Sequence, residues 1–134
     1  MFKGPYELRE LSLHRDERGD LFEVLRFPDD DIPGRGYIYT FSVNPGARRG
    51  DHYHERKHEW LTCVSGELTV LVEDKEGRAE RFVLNAEKPS VMYFAPYTAH
   101  AVVNESGHVA VAASYGSEPH DPADPDTIKK IVAG

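Results

Sequence analysis

Nine short stretches, none longer than eight residues, set the limits on what this chain can fold into: YELRELSL, DLFEVLRF, GYIYTFSV, HEWLTCVS, ELTVLVED, RAERFVLN, SVMYFAP, HAVVNE and HVAVAASY. They are rich in Val, Tyr, Phe, Leu and Thr, and most alternate apolar with polar residues. That is the period-two pattern of extended chain with one face buried. Between them lie DERGD, NPGARRG, SG, DKEG and NESG, whose Gly, Asn, Asp and Pro supply the backbone angles of turns. Strands spaced this regularly predict an all-β sandwich or barrel. No central segment carries a helical period. The tail PHDPADPDTIKKIVAG opens with prolines that cannot donate to a sheet ladder. Its DTIKKIV predicts either a short helix capped by Asp126 or Thr127 or an edge strand.

With 134 residues the expectation is one core and one domain spanning 1–134. A net charge of −7 argues against nucleic acid and anionic membrane surfaces as partners. MFKGPYELRE lacks the apolar run of a signal peptide, and no run approaches membrane-spanning length. A single cysteine, Cys63, makes no internal disulfide, so a reducing cytoplasm is the expected compartment. The charge is uneven. Arg35, Arg48, Arg49, Arg56 and Lys57 face only Asp51 and Glu55 in the same region, a balance suited to holding a small anion such as phosphate.

That region contains RRGDHYHERKHEW, with three of the seven histidines of the chain. Histidine is both the commonest metal ligand and the side chain best suited to moving protons near neutral pH. In an extended chain His52 and His54 project to one face while Tyr53 points away. Glu59 lies at an odd offset from His54, so ERKH must contain a turn or bulge for Glu59 to rejoin that face. From there Glu59, Leu61 and Cys63 point inward. His100, at the start of a later strand, can return across a barrel to meet HYH. His52, His54, Glu59 and His100 would then hold Zn, Mn, Fe, Ni or Co. His58 is expected to face the other way, and His14, His108 and His120 to lie on the surface.

GARRGDHYHERKHEWLTCVSG resembles the first cupin motif, G(X)5HXH(X)4E(X)6G, with Gly46, His52, His54, Glu59 and Gly66 in register. PYTAHAVVN resembles the second through Pro96, His100 and Asn104, although Pro89, Ala95 and Tyr97 replace its expected Gly, Pro and Gly. The resemblance implies a cupin, or jelly-roll β-barrel. From about residue 12 to 130, DERGDLFEV, IYTFSVNPGARRGDHYH and PDT are similar to cupins acting on nucleotide-linked 4-keto-6-deoxy sugars. These are the rhamnose-pathway 3,5-epimerases, the 3,4-ketoisomerases and the C-terminal cupin domain of a capsular-polysaccharide sugar reductase. The last is matched best by the RG-HYH--K-E arrangement and implies a zinc site.

The implied activity is epimerisation or isomerisation of such a sugar through an enolate or enediol, by a homodimer serving surface polysaccharide synthesis. The chemistry needs a base, a group to hold the oxyanion and an acid. An imidazole bound to metal cannot also take a proton. With a divalent metal, zinc favoured, the base comes from Tyr39, Tyr93, Lys57 or an outer histidine; without one, His52 or His54 is the base. Arg49, with Arg48 beside it, matches the arginine near the substrate phosphates in the resembling enzymes, and Asn104 completes the expected substrate-binding set. Two other readings fit the same residues: a metal-dependent cupin of another class, such as an oxygenase or small-acid enzyme, and a non-catalytic sugar-nucleotide-binding module.

Overall fold

The computed structural model describes residues 1–133. Its elements are β1 (Tyr6–Glu10), β2 (His14–Asp16), β3 (Gly19–Leu21), α1 (Phe27–Asp30), β4 (Tyr37–Val43), β5 (Arg48–Tyr53), β6 (Glu59–Ser65), β7 (Glu67–Glu73), β8 (Ala79–Asn85), β9 (Ser90–Phe94), β10 (Ala99–Val103), β11 (Ala110–Gly116) and β12 (Ile128–Lys129). One five-stranded sheet runs β1-β9-β6-β11-β4, a second runs β12-β5-β10-β7-β8, and β2 and β3 form a separate hairpin. Every pairing is antiparallel. Strands far apart in sequence become neighbours, and the alternation read from the sequence becomes the two facing inner surfaces of a jelly roll.

Between the sheets Leu61, Cys63, Met92, Phe94 and Ala112 pack against Leu68, Val70, Val72, Leu84 and Val102. Several are wholly buried, and a buried Val, Leu or Met side chain stabilises by about 1.5–3 kcal/mol. The outer face of the first sheet is also covered. There Trp60, Val91, Tyr93 and Tyr115, the outward-phase residues of β6, β9 and β11, pack under Phe2, Leu11, Val24, Leu25, Phe27 and Ile32.

That cover explains a departure from the expected strands. DLFEVLRF joins a ladder only through Asp20 and Leu21. Its remainder crosses the outer face as irregular chain, with Pro28 in the first turn of α1 and the Phe27 ring 4.9 Å from the Tyr115 ring. A proline lacks the N–H of a continuing ladder, and the apolar side chains dock on a neighbouring sheet face instead. At the other end, the tail takes the edge-strand option rather than the helix: Ile128 and Lys129 pair with Tyr53 and His52.

Candidate active site

One bulge decides which side chains enter the space between the sheets. On β5 and β10, His52 pairs with His100 but Gly50 pairs with Ala101, so Asp51 is an extra residue in β5. Gly50 has φ of +93° and Asp51 of +60°. A Cβ on Gly50 would lie 2.9 Å from the His100 carbonyl oxygen. Glycine is therefore required here, and the bulge places His52 opposite His100 on the inner face. Asp51 turns away and holds the tail, accepting hydrogen bonds from the Arg48 guanidinium and the Val132 N–H.

His54 follows the end of β5, and a bend at Glu55 and Arg56 returns the chain to β6 at Glu59. The odd offset between His54 and Glu59 is absorbed there, as the spacing requires. The Asp126 carboxylate accepts the N–H groups of Glu55 at 2.8 Å and of Arg56 and Lys57 at 3.0 Å. His100 is the second residue of β10, with Phe94 stacked on its ring, centroids 4.1 Å apart.

The ligand atoms of His52, His54, Glu59 and His100 all lie within 4.8 Å of one another. His54 Nδ1–H donates to the Asp126 carbonyl oxygen at 2.7 Å and His100 Nδ1–H to that of Thr98 at 3.1 Å. In the neutral rings those bonds leave Nε2 bare. Both Nε2 atoms face Glu59 Oε1, His100 at 3.4 Å and His54 closer. Two lone pairs and a carboxylate oxygen pointing at one spot repel one another unless a cation or a proton lies among them, so the donor set fits a divalent metal.

The electrostatics likewise favour positive charge beside Glu59. Burial works to raise the Glu59 carboxyl, but hydrogen bonds and positive charge from His100 and His54 outweigh it and hold the group well below its ordinary range. Burial works to lower His54, yet the bond to Glu59, its charge and the Asp126 carbonyl raise it. His52 lacks such a partner; burial first, then the charges of His100 and His54, push it down to about 4.

Beside this cluster a cavity of about 290 Å³ opens, lined by Tyr39, Phe41, Arg49, His52, Glu59 and Ser114 among others. Tyr39 donates its hydroxyl to Glu59 Oε2 at 2.9 Å, and Ser114 reaches the same oxygen at 3.5 Å. Burial and the Glu59 charge raise the Tyr39 phenol above its usual value.

The family model described as the polysaccharide biosynthesis C-terminal domain matches residues 14–128. The chain belongs to this family. A Pseudomonas aeruginosa UDP-2-acetamido-2,6-beta-L-arabino-hexul-4-ose reductase is 27% identical over 119 residues, 88% of this chain but 31% of the reductase. The chain thus spans about a third of that relative. A probable low-salt glycan biosynthesis epimerase, Agl13 of Haloferax volcanii, is 27% identical over 128 residues, covering 90% of this chain and 82% of its own length. The crystal structure of a dTDP sugar isomerase from Desulfovibrio desulfuricans G20 superposes with a TM-score of 0.85 at 17% identity, over 98% of this chain and 87% of that one. The fold is that of a cupin.

Within this polysaccharide-biosynthesis domain the other expected site residues separate. Tyr39 and Arg49 line the cavity; Arg49 Nε donates to the Ser42 carbonyl at 2.9 Å, with its guanidinium 5.8 Å from the Phe41 ring centroid. Tyr93 does not line this cavity. It alternates with the inward Met92 and Phe94, so it lies on the outer face, where its hydroxyl meets His58 Nδ1 at 2.6 Å. Lys57 is buried in the turn after His54, with Nζ 3.5 Å from the Tyr37 hydroxyl, and is not on the cavity wall. Arg48 is not on the cavity wall; its guanidinium donates to Asp51 and the Val132 carbonyl. Asn104 is also structural: its amide donates to the carbonyls of Val43 and His108 and closes a turn.

The cationic cluster is smaller than the sequence suggests, since Arg56 pairs with Glu118 and Asp124. His14, His108 and His120 are exposed, as expected. Two further residues, Ser114 and Asp126, contribute to the site. Ser114 shares the inward phase of Ala110 and Ala112, a signal present in AVAAS. Asp126 lies in the PDT that helped mark the family resemblance, but nothing in its neighbours shows that it reaches His54.

Proposed function

We propose that this protein is an epimerase or isomerase of a nucleotide-linked 4-keto-6-deoxy sugar, acting in the cytoplasm on precursors of a surface polysaccharide. The observation that carries the reading is that Tyr39 and the imidazoles share one carboxylate. Glu59 Oε1 faces His54 and His100, and Oε2 accepts from Tyr39, at the wall of a cavity with Arg49 on its lining. The cavity is near the lower end of the size range for small-molecule sites, so it admits a sugar ring while the nucleotide lies outside. The Arg49 fork is suited to its diphosphate.

His52, His54, Glu59 and His100 are the residues that would hold a divalent metal, with zinc favoured. When bound, it supplies a Lewis acid for the ketone oxygen. Tyr39 is the proton-carrying side chain that remains for the carbon. As the carbon–hydrogen bond breaks, its electron pair forms the carbon–carbon double bond of the enolate and the negative charge moves to the ketone oxygen. Tyr39 takes the proton as its own hydroxyl proton passes along the existing hydrogen bond to Glu59 Oε2, and the reverse transfer gives it back. Return by Tyr39 to the same face restores the centre, delivery of a proton by water on the opposite face inverts it, and transfer between carbon and oxygen through an enediol shifts the ketone. Burial and the Glu59 charge favour the neutral phenol, which suits the returning step.

The relative named as a reductase of a UDP-linked 4-ulose supports this substrate class, and the relative named as an epimerase supports the reaction type. We also assign a homodimer, in which a second copy covers the unpaired edge of β4, where Ile38 is 72% exposed; sedimentation analysis tests this directly. The activity is tested by incubating the protein with UDP- and dTDP-linked 4-keto-6-deoxyhexoses and following ring-proton couplings by NMR. A second stereoisomer or a moved ketone is expected, and unchanged spectra across the panel would refute the reading.

A further inference from the structure

We infer that Asp126 is a positioning residue for the ligand set, fixing His54 and the turn to Glu59 from a site 72 residues away in sequence. The inference rests on the metal-binding reading of the four-residue cluster and not on the sugar activity. Asp126 is 7% exposed, and its backbone and side chain do different things. The carbonyl accepts His54 Nδ1–H, which sets the ring rotation and leaves Nε2 bare toward Glu59. The carboxylate accepts three successive N–H groups, those of Glu55, Arg56 and Lys57, and so shapes the only chain connection between ligands His54 and Glu59. A ligand histidine gains orientation and basicity from the partner of its other nitrogen.

Asp126 is itself held by the segment that follows it. Lys129 pairs with His52 across β12 and β5, the Lys130 N–H donates to the Asp51 carbonyl at 2.8 Å, and the Val132 N–H donates to the Asp51 carboxylate at 3.0 Å. The tail therefore grips the strand of His52, the bulge and the turn of His54 together. Metal binding and tail docking must then strengthen each other, because a coupling free energy acts in both directions.

The test compares wild type with D126N, D126G and K130A. Asp126 has φ of +49°, which Asn and Gly accept, so neither substitution adds backbone strain. K130A removes only the Lys130–Glu73 pair and keeps the backbone bonds of the tail. Zinc affinity is measured by competition with a chromophoric chelator, the cobalt(II) absorption spectrum reports ligand number, and amide hydrogen exchange is followed at residues 55–57. D126G is expected to lose about 10- to 100-fold in zinc affinity with an altered cobalt spectrum. D126N should fall between D126G and wild type, and K130A should match wild type. In wild type and K130A, but not in D126G, zinc should slow exchange at 55–57. Wild-type zinc binding with D126G unchanged would overturn the role of Asp126. Failure of wild type itself to bind zinc or cobalt would overturn the metal reading beneath it, and neither result bears on whether sugar is turned over.

Discussion

Tyr39 and Glu59 meet through a 2.9 Å hydrogen bond on the carboxylate oxygen that the imidazoles do not use. One buried carboxylate thereby joins the side chain proposed to carry the proton to the four residues proposed to hold the metal. A change at either end can be read separately at the other.

Removing the phenol hydroxyl isolates the first end. Y39F should lower the rate of carbon-proton transfer by about 10²-fold or more, since that is the scale of one positioned acid–base group. It should also cost about 1.5–3 kcal/mol in urea unfolding, because a hydrogen bond to a charged group is lost. Zinc affinity should stay within a few-fold of wild type. Full proton transfer by Y39F would remove Tyr39 from the mechanism.

Glu59 is the other end. E59Q keeps the shape but removes the charge on which two imidazoles and a tyrosine converge. Zinc affinity, measured by chelator competition, should fall by at least about 10-fold, with proton transfer lost as well. Unchanged zinc binding would show that the carboxylate is not a ligand.

The bulge is testable at Gly50. G50A forces a Cβ to within 2.9 Å of the His100 carbonyl at a φ of +93°. The expected cost is about 1–3 kcal/mol in urea unfolding, with His52 displaced and zinc affinity reduced. A variant as stable as wild type, with zinc bound normally, would contradict the role assigned to the bulge.

Adjacent arginines should separate cleanly. R48A removes the clamp on Asp51 and the tail, and should lower the unfolding midpoint without a specific effect on substrate affinity. R49A should leave stability nearly unchanged and raise KM for the nucleotide sugar by about 10-fold, the scale of a charge-assisted phosphate contact. Equal KM effects in both would contradict the division.

The metal-free protein should be weakened by mild acid. His52 titrates near 4 when folded and near 6.5 when unfolded, so the unfolded chain takes up a proton that the folded one refuses. Stability therefore falls as pH drops from about 6.5 to about 4, by at most roughly 3 kcal/mol, and this contribution levels off below. His54 acts in the opposite sense: its raised folded pKa gives a contribution present below about 6.5 and lost as pH rises through the folded value. Glu59, with its depressed folded pKa, contributes above its ordinary value of 4.5 and loses that contribution as pH falls through the folded one. In urea melts of metal-free protein between pH 7.5 and 4.5, H52Q should lose less stability than wild type. Parallel loss in both would show that His52 is not the source.

Much of the site could be read before any coordinates. His52, His54, Glu59 and His100 sit at a spacing that few folds share, and the odd offset to Glu59 demanded a turn that is present. Strand phase also separates Tyr93 from the site: it is one residue out of step with Phe94, which sends it to the outer face. What could not be read depends on contacts between distant segments. Arg48 and Arg49 are neighbours with opposite fates, decided by where the Asp51 bulge and the tail fall. DLFEVLRF has the composition of a strand but serves as a cover, because the outer face of β6, β9 and β11 offered its apolar side chains a better burial. Asp126 looked like a helix cap and instead accepts hydrogen bonds from a turn dozens of residues earlier.

The most direct measurement is deuterium uptake by the sugar. The zinc-loaded protein is incubated in deuterium oxide with UDP- and dTDP-linked 4-keto-6-deoxyhexoses, and the mass of recovered sugar is determined. Wild type should add deuterium at a carbon beside the ketone in at least one of them, and Y39F should add far less in the same time. A sugar mass that stays unchanged with wild type across the whole panel would contradict the account.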